Sequence, residues 1–372
     1  MIYLDYQATT PLAPEARAAM LPFLDQQFGN PHSPHRLGRE AAAAVEVARA
    51  QVAAPFNGTP GRLLFTSGAT EAANMAIKGV AALAPPERRR IVTIATEHAC
   101  VLDSIAWLAD QGFETIRLPV GREGLVDMDR AAAAIDSGTA LVAAMLVNNE
   151  IGVIQPIAEL ARMARAAGAR FFCDAVQGYG RVPLPAEACD LVAVSAHKIH
   201  GPKGIGALWL RDGVEIAPLL HGGGQEAGIR SGTLSPALCV GFGVAAALAV
   251  EQQEADAAHV AMLWNRVRAA LDGWSLNGAV EPRWHGNLNV RREGVDAARL
   301  ISELRTVAFS AGSACASGSG RPSHVLKAIG LTDAQARASI RIGYGRYTTE
   351  AEIDEAAALI REATARQLEW AA

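Results

Sequence analysis

Seven short apolar runs, interleaved with Ala-rich stretches of helical spacing, constrain this chain more than any other feature. They cover 63–65, 91–94, 115–118, 141–147, 169–173, 191–195 and 205–210, with helices expected at 36–53, 70–83, 99–111, 157–167 and 235–251. The runs lack polar alternation, so each strand must be covered on both faces. Intervening helices can do that only around a mainly parallel sheet. The expected fold is therefore α/β, with a mainly parallel seven-stranded sheet. Such sheets bind ligands beyond the carboxyl ends of their strands, which is where His98, Asn149, Asp174 and Lys198 fall.

Beyond about residue 251 the pattern changes. A long helix runs through 261–271, strand-like segments occupy 287–290 and 339–342, and a helix is expected at 297–304. A capping box of Thr349 and Glu352 opens a last helix with Ile353, Ala357, Ile360 and Leu368 on one face. We expect a large domain at 15–250 and a smaller α+β domain formed by 1–14 and 251–372.

A net charge of −4 argues against nucleic acid as a direct partner, since phosphate binding needs a concentrated basic surface. The cluster Arg88-Arg89-Arg90 reads as a solvated lead-in to a strand. The first residues lack a basic leader and a long apolar core, and 240–250 is too short and too rich in Ala and Gly to span a membrane. Five scattered cysteines do not form a disulfide framework. A cytoplasmic location without membrane contact is expected, and no metal site.

Lys198 follows the apolar run Leu191-Val192-Ala193-Val194-Ser195 and precedes a Gly-rich loop. A desolvated lysine has a lowered pKa and becomes nucleophilic, as imine chemistry requires. Lys203, deeper in the loop, competes for the role. Asp174 closes another apolar strand, where a carboxylate needs a partner. It is either a cap or the partner of a protonated ring nitrogen. Together, an amine and an acid at strand mouths fit pyridoxal 5'-phosphate. The segment Thr66-Ser67-Gly68-Ala69-Thr70-Glu71 lies between a strand and a helix, and it reads as a helix cap or as a cradle for the cofactor phosphate. Ser195 and His197 lie beside Lys198 and can add donors to that phosphate. Gln177 is placed to donate to the phenolic oxygen, and His98 to stack on the ring and shuttle protons. Asn149 ends an apolar strand, where an amide serves a ligand or a turn. Arg341 sits in an alternating strand, as a fork for an amino-acid carboxylate or as half of an ion pair. Finally, Cys315 stands in a segment of almost no bulk, Ser310-Ala311-Gly312-Ser313-Ala314-Cys315-Ala316-Ser317-Gly318, expected to be mobile over about 310–322. A thiol there is better placed to react than Cys173 or Cys239, which lie among apolar residues.

Assembled in order, these segments closely resemble the cysteine desulfurases, within the fold-type I PLP-dependent transferases related to class V aminotransferases. The resemblance includes Asp5-Tyr6-Gln7-Ala8-Thr9-Thr10-Pro11, Thr96-Glu97-His98, Asn148-Asn149-Glu150-Ile151-Gly152, Asp174-Ala175-Val176-Gln177, His221-Gly222-Gly223-Gly224-Gln225-Glu226 and Gly312-Ser313-Ala314-Cys315. The last of these is similar to the NifS/IscS branch. The resemblance implies that Lys198 forms the internal aldimine, Asp174 pairs with the pyridine nitrogen, and His98 is the acid/base. It implies that Ala69, Thr70, Ser195 and His197 hold the phosphate, Gln177 meets the phenolic oxygen, and Thr233 reaches the phosphate of a partner subunit in a homodimer. Asn149 and Arg341 would hold the carboxylate of L-cysteine, and Cys315 would accept its sulfur as a persulfide. The persulfide would pass to an iron–sulfur scaffold or another sulfur-acceptor protein, for cluster assembly or thiolation.

Some details depart from relatives. Gln7 replaces a common Ser or Asn, with little expected consequence. The segment after Cys315 is Gly-richer, and the chain stops soon after its last helix, where relatives often carry a tail that docks a scaffold. A selenocysteine lyase, an aminotransferase and a catalytically silent sulfur-assembly subunit share the frame. The retained Lys198, His98, Asp174 and Cys315 argue against the silent subunit, and Cys315 against the aminotransferase.

Overall fold

The structure, a computed structural model, describes residues 1–311 and 322–371. In chain order its strands are β1 (Ile2–Tyr3), β2 (Gly61–Thr66), β3 (Arg90–Ile94), β4 (Glu114–Leu118), β5 (Thr139–Met145) and β6 (Arg170–Asp174). They continue as β7 (Leu191–Ser195), β8 (Gly206–Arg211), β9 (Ser275–Leu276), β10 (Asn287–Arg291), β11 (Val307–Ala308) and β12 (Ser339–Gly343). Seven form one sheet in the order β2-β8-β7-β6-β5-β3-β4. Within it β8 runs antiparallel to both neighbours, and every other pairing is parallel. The mainly parallel seven-stranded sheet expected from the sequence is present.

The unbroken apolar runs have a direct cause. Leu64, Ile91, Leu141, Phe172, Leu191 and Leu208 pack against helices Ala69–Leu83 and Ala99–Ala109. Their strand neighbours Val92, Val142, Phe171, Val192 and Val194 join the opposite core. Val45 and Ala48 of helix Arg36–Ala53, Leu160 of Ile157–Ala166 and Phe242 of Pro236–Glu251 belong to that core too. A polar side chain on either face would forfeit about 2 kcal/mol of transfer energy.

The observed helices match the expected ones to within about two residues, except that the one expected through 261–271 starts at Gln253. Helix Ala99–Ala109 stops short of 111 because the chain tightens there, the Gln111 N–H donating to Leu108 C=O at 3.0 Å. Helix Glu350–Ala371 opens on the expected capping box: Glu352 accepts the Thr349 N–H at 2.8 Å, and the Thr349 hydroxyl accepts the Glu352 N–H at 3.2 Å. Helix Pro14–Asp25 was not legible, because Pro22 lies inside it and Leu21 and Leu24 face outward. No single helix among the described residues is long and apolar enough to cross a membrane.

A three-stranded antiparallel sheet, β12-β10-β9, and a parallel pair, β1-β11, complete the strand pairings. Bridges flank β12: Asp5 pairs with Gly343 and Ser310 with Arg341. The N-terminal segment, β12 and the approach to residue 311 are thereby held side by side.

Candidate active site

The carboxyl ends of β3, β5, β6 and β7 open on a cavity of about 730 Å³. Ala69, Thr70, His98, Asn149, Asp174, Gln177, Ser195, His197, Lys198 and Arg341 all line it. Lys203 is exposed and does not, which removes it as a rival to Lys198. Thr233 is exposed and stands off this cavity. Cys315 lies outside the described residues.

Lys198 ends a single 3-10 turn, Ala196–Lys198, that follows β7 directly. Its Nζ donates to the carbonyls of Gln7 at 2.5 Å and Ala8 at 2.7 Å. The N-terminal segment thus holds the amine, through backbone atoms that no side-chain pattern announces. The Gln7 side chain also has a consequence the sequence reading discounted. Its Nε2 donates to Gly286 C=O at 2.8 Å, tying the segment to the residue preceding β10.

Asp174 accepts the Val176 N–H at 3.0 Å. Burial raises its pKa, while His98, that N–H and Lys198 oppose the rise. His98 caps helix Ala99–Ala109, its Nδ1 accepting the Cys100 N–H at 3.2 Å. Burial, the largest influence, lowers its pKa; Asp174 opposes the shift and Lys198 adds to it. The ring is therefore neutral at neutral pH, and the capping bond leaves its proton on Nε2. For His197, burial followed by Lys198 pushes the pKa down to about 4.

Helix Ala69–Leu83 begins at Gly68 with no side-chain cap, so its first N–H groups and dipole are available to an anion. This favours the cradle over the cap reading. Arg341, 1% exposed, pairs with Asp5 Oδ1 at 2.8 Å, the ion-pair alternative, and also lines the cavity. One terminal nitrogen also donates to Asn149 C=O at 3.2 Å, and its Nε has no partner among the described residues.

Several wall residues escaped the sequence reading. Cys100 places Sγ 3.1 Å from His98 Nδ1, and burial pushes its thiol pKa up. His324 reaches the Glu97 carbonyl at 2.9 Å. Ser323, which caps helix His324–Ala328, hydrogen-bonds the buried carboxyl of Glu150. A Ser immediately before a helical stretch was the available signal for that anchor.

The profile of the class-V aminotransferases matches residues 2–356. Cysteine desulfurase IscS of Rickettsia akari is 46% identical over 368 residues, covering 96% of this chain and 90% of the relative. The chain belongs to the cysteine desulfurases of the class-V aminotransferase family. Among solved structures, a NifS-like protein superposes with a TM-score of 0.92 at 34% identity, covering 98% of this chain and 99% of that one. SspA in complex with cysteine gives 0.84 at 35%, covering 94% and 100%. This likeness matches the desulfurase resemblance read from the motifs.

Proposed function

We propose that this desulfurase takes sulfur from L-cysteine onto Cys315, releasing L-alanine, with pyridoxal 5'-phosphate held in the 730 Å³ cavity. The observation that carries the reading is the convergence there of the Lys198 amine, the Asp174 carboxyl and the His98 imidazole with an uncapped helix N-terminus. This donor set fits a phosphorylated pyridine aldehyde. The helix start at Ala69 and Thr70, with Ser195 and His197, would hold the phosphate. Asp174 would keep a proton on the ring nitrogen, Gln177 would donate to the phenolic oxygen, and Lys198 would be the covalent anchor. When bound, the cofactor supplies an electron sink for charge developed at the substrate Cα.

The remaining steps fall to the chain. Asn149 and Arg341, which both line the cavity, bind the substrate carboxylate. His98 carries a proton at Nε2 and exchanges it with the substrate. Overall, L-cysteine and the Cys315 thiol become L-alanine and a Cys315 persulfide: an S–S bond forms as the substrate C–S bond breaks, and no external oxidant enters. The described residues flanking 312–321 support this role for Cys315. Ser310 exchanges backbone hydrogen bonds with Arg341 at 2.7 and 3.1 Å, and Ser323 is tied to Glu150. Both attachments lie on the cavity wall.

A homodimer in which Thr233 serves the partner's phosphate fits its exposed position and the outward-facing Leu21, Leu24 and Phe28. Free thiols at Cys100, Cys173, Cys189 and Cys239 suit a reducing cytoplasm. The proposed acceptor of the persulfide is an iron–sulfur scaffold or another sulfur-acceptor protein. The test is to supply L-cysteine and a reductant to purified protein and measure sulfide and alanine. Equal amounts that vanish in Cys315→Ala, with the visible cofactor band retained, are expected. A keto acid product, or turnover unaffected by Cys315→Ala, refutes the reading.

A further inference from the structure

One turn after Gln177, Arg181 lies behind the active-site lysine. It faces a second, small cavity that it lines with Lys198, Asp256, Trp284, Tyr344 and Arg346. One of its terminal nitrogens donates to Gln177 Oε1 at 2.6 Å and the other to the Lys198 carbonyl at 2.5 Å. Gln177 Nε2 donates to Gln7 C=O at 3.0 Å, and the same carbonyl accepts Lys198 Nζ at 2.5 Å. Arg181, Gln177, Gln7 and Lys198 thus close a ring of hydrogen bonds around the amine.

The ring decides which way the Gln177 amide points. Arginine has only donors, so its partner must be the amide oxygen, and the NH₂ end is turned toward Gln7 and the cavity. A reversed amide would set donor against donor. Among the described residues no carboxylate pairs with the Arg181 guanidinium, because Asp256, the acid that acts on it, forms a bidentate pair with Arg346 instead. Burial lowers the Arg181 pKa to about 10, which leaves it protonated at neutral pH.

We infer that Arg181 is a positioning residue of the desulfurase: it locks the Gln177 amide with its N–H face toward the cavity and holds the Lys198 main chain in register with it. This rests on the cofactor reading above. The charged and titratable groups around the ring are His98 and Asp174 across the cavity, His197 and Lys203 on the lysine loop, and His200, Asp256 and Arg346 behind Arg181.

The test uses the cofactor-loaded protein and two readouts apart from turnover: the pH midpoint of the cofactor's visible band, and the rate of cofactor release to a trapping agent. Arg181→Gln removes a positive charge that disfavours protonation beside it. Its midpoint is expected to rise by about half to one pH unit, with release about three- to tenfold faster. Arg181→Lys keeps the charge but cannot span both acceptors as a fork, so it should retain the wild-type midpoint and still release faster. If the Gln variant does not fold, the Lys variant decides alone: unchanged release overturns the inference and faster release supports it. A Gln variant with wild-type midpoint and release overturns it too. Wild-type protein that takes up no cofactor at Lys198 would instead sink the reading beneath it.

Discussion

The wall built by the seven-stranded sheet and the wall built around β12 place their polar groups by different means. At the ends of β3, β5, β6 and β7, parallel register brings His98, Asn149, Asp174 and Lys198 to one rim, each at or shortly beyond the end of a largely apolar strand. Arg341 arrives differently. It sits inside β12, opposite Asn289, and is already engaged by Asp5 and Asn149. The sheet-end wall gathers an amine, a carboxyl and an imidazole at one rim, with the Lys198 amine held there by the Gln7 and Ala8 carbonyls. The β12 wall is an internal network, and under the proposed function its arginine would divide its donors between Asp5 and an incoming carboxylate. Cofactor binding and substrate binding should therefore respond differently to mutation.

The largest effect should come from the sheet-end wall. Lys198→Ala removes the proposed covalent anchor, and sulfide release should fall about a thousandfold or more, as with lost nucleophiles elsewhere. Borohydride reduction and peptide mapping should find the cofactor on Lys198 in the wild type; an adduct at another side chain would dismantle the site. Arg341→Lys keeps the charge and loses the fork. We expect KM for L-cysteine to rise about 10- to 100-fold with a smaller change in kcat. A drop confined to kcat would mean that the β12 wall acts on the reaction rather than on binding.

Asp5→Asn asks what the internal pair contributes. Arg341 would be left buried without its paired carboxylate, so unfolding by urea should show a loss of about 2–3 kcal/mol. No loss would show that the two walls differ less than their contacts suggest. A pH dependence belongs to the sheet-end side. Burial pushes His197 and His200 down to about 4. In the unfolded chain each takes up its proton near 6.5, so unfolding binds protons between those values. The stability of the cofactor-free protein should be full above about pH 6.5 and decline toward pH 4 by several kcal/mol, roughly 3 kcal/mol for each ring over its full shift. Urea midpoints at pH 7 and 5 would measure it, and equal midpoints would contradict the burial of these rings.

The same contrast explains what was legible in the sequence. Strands of the large sheet could be read because both faces are buried, which leaves an uninterrupted apolar run. The two-residue strands β1, β9 and β11 are too short to leave any period. Asp174 and Lys198 were visible as charged residues closing such runs. Arg341 was visible as a candidate, but its pairing with Asp5 was not, because the two are 336 positions apart. Gln7 and Ala8 act through carbonyls, which every residue carries, and so no residue type could mark them.

The order of strands and helices, and the chemical groups at the strand ends, were determined by the sequence itself, since periodicity and burial are written in neighbouring residues. Tertiary structure alone decided which backbone oxygens hold the Lys198 amine, which acid holds Arg341, and which way the Gln177 amide faces. Those choices depend on hydrogen-bonding groups brought together from distant parts of the chain, and such groups leave no local pattern to read.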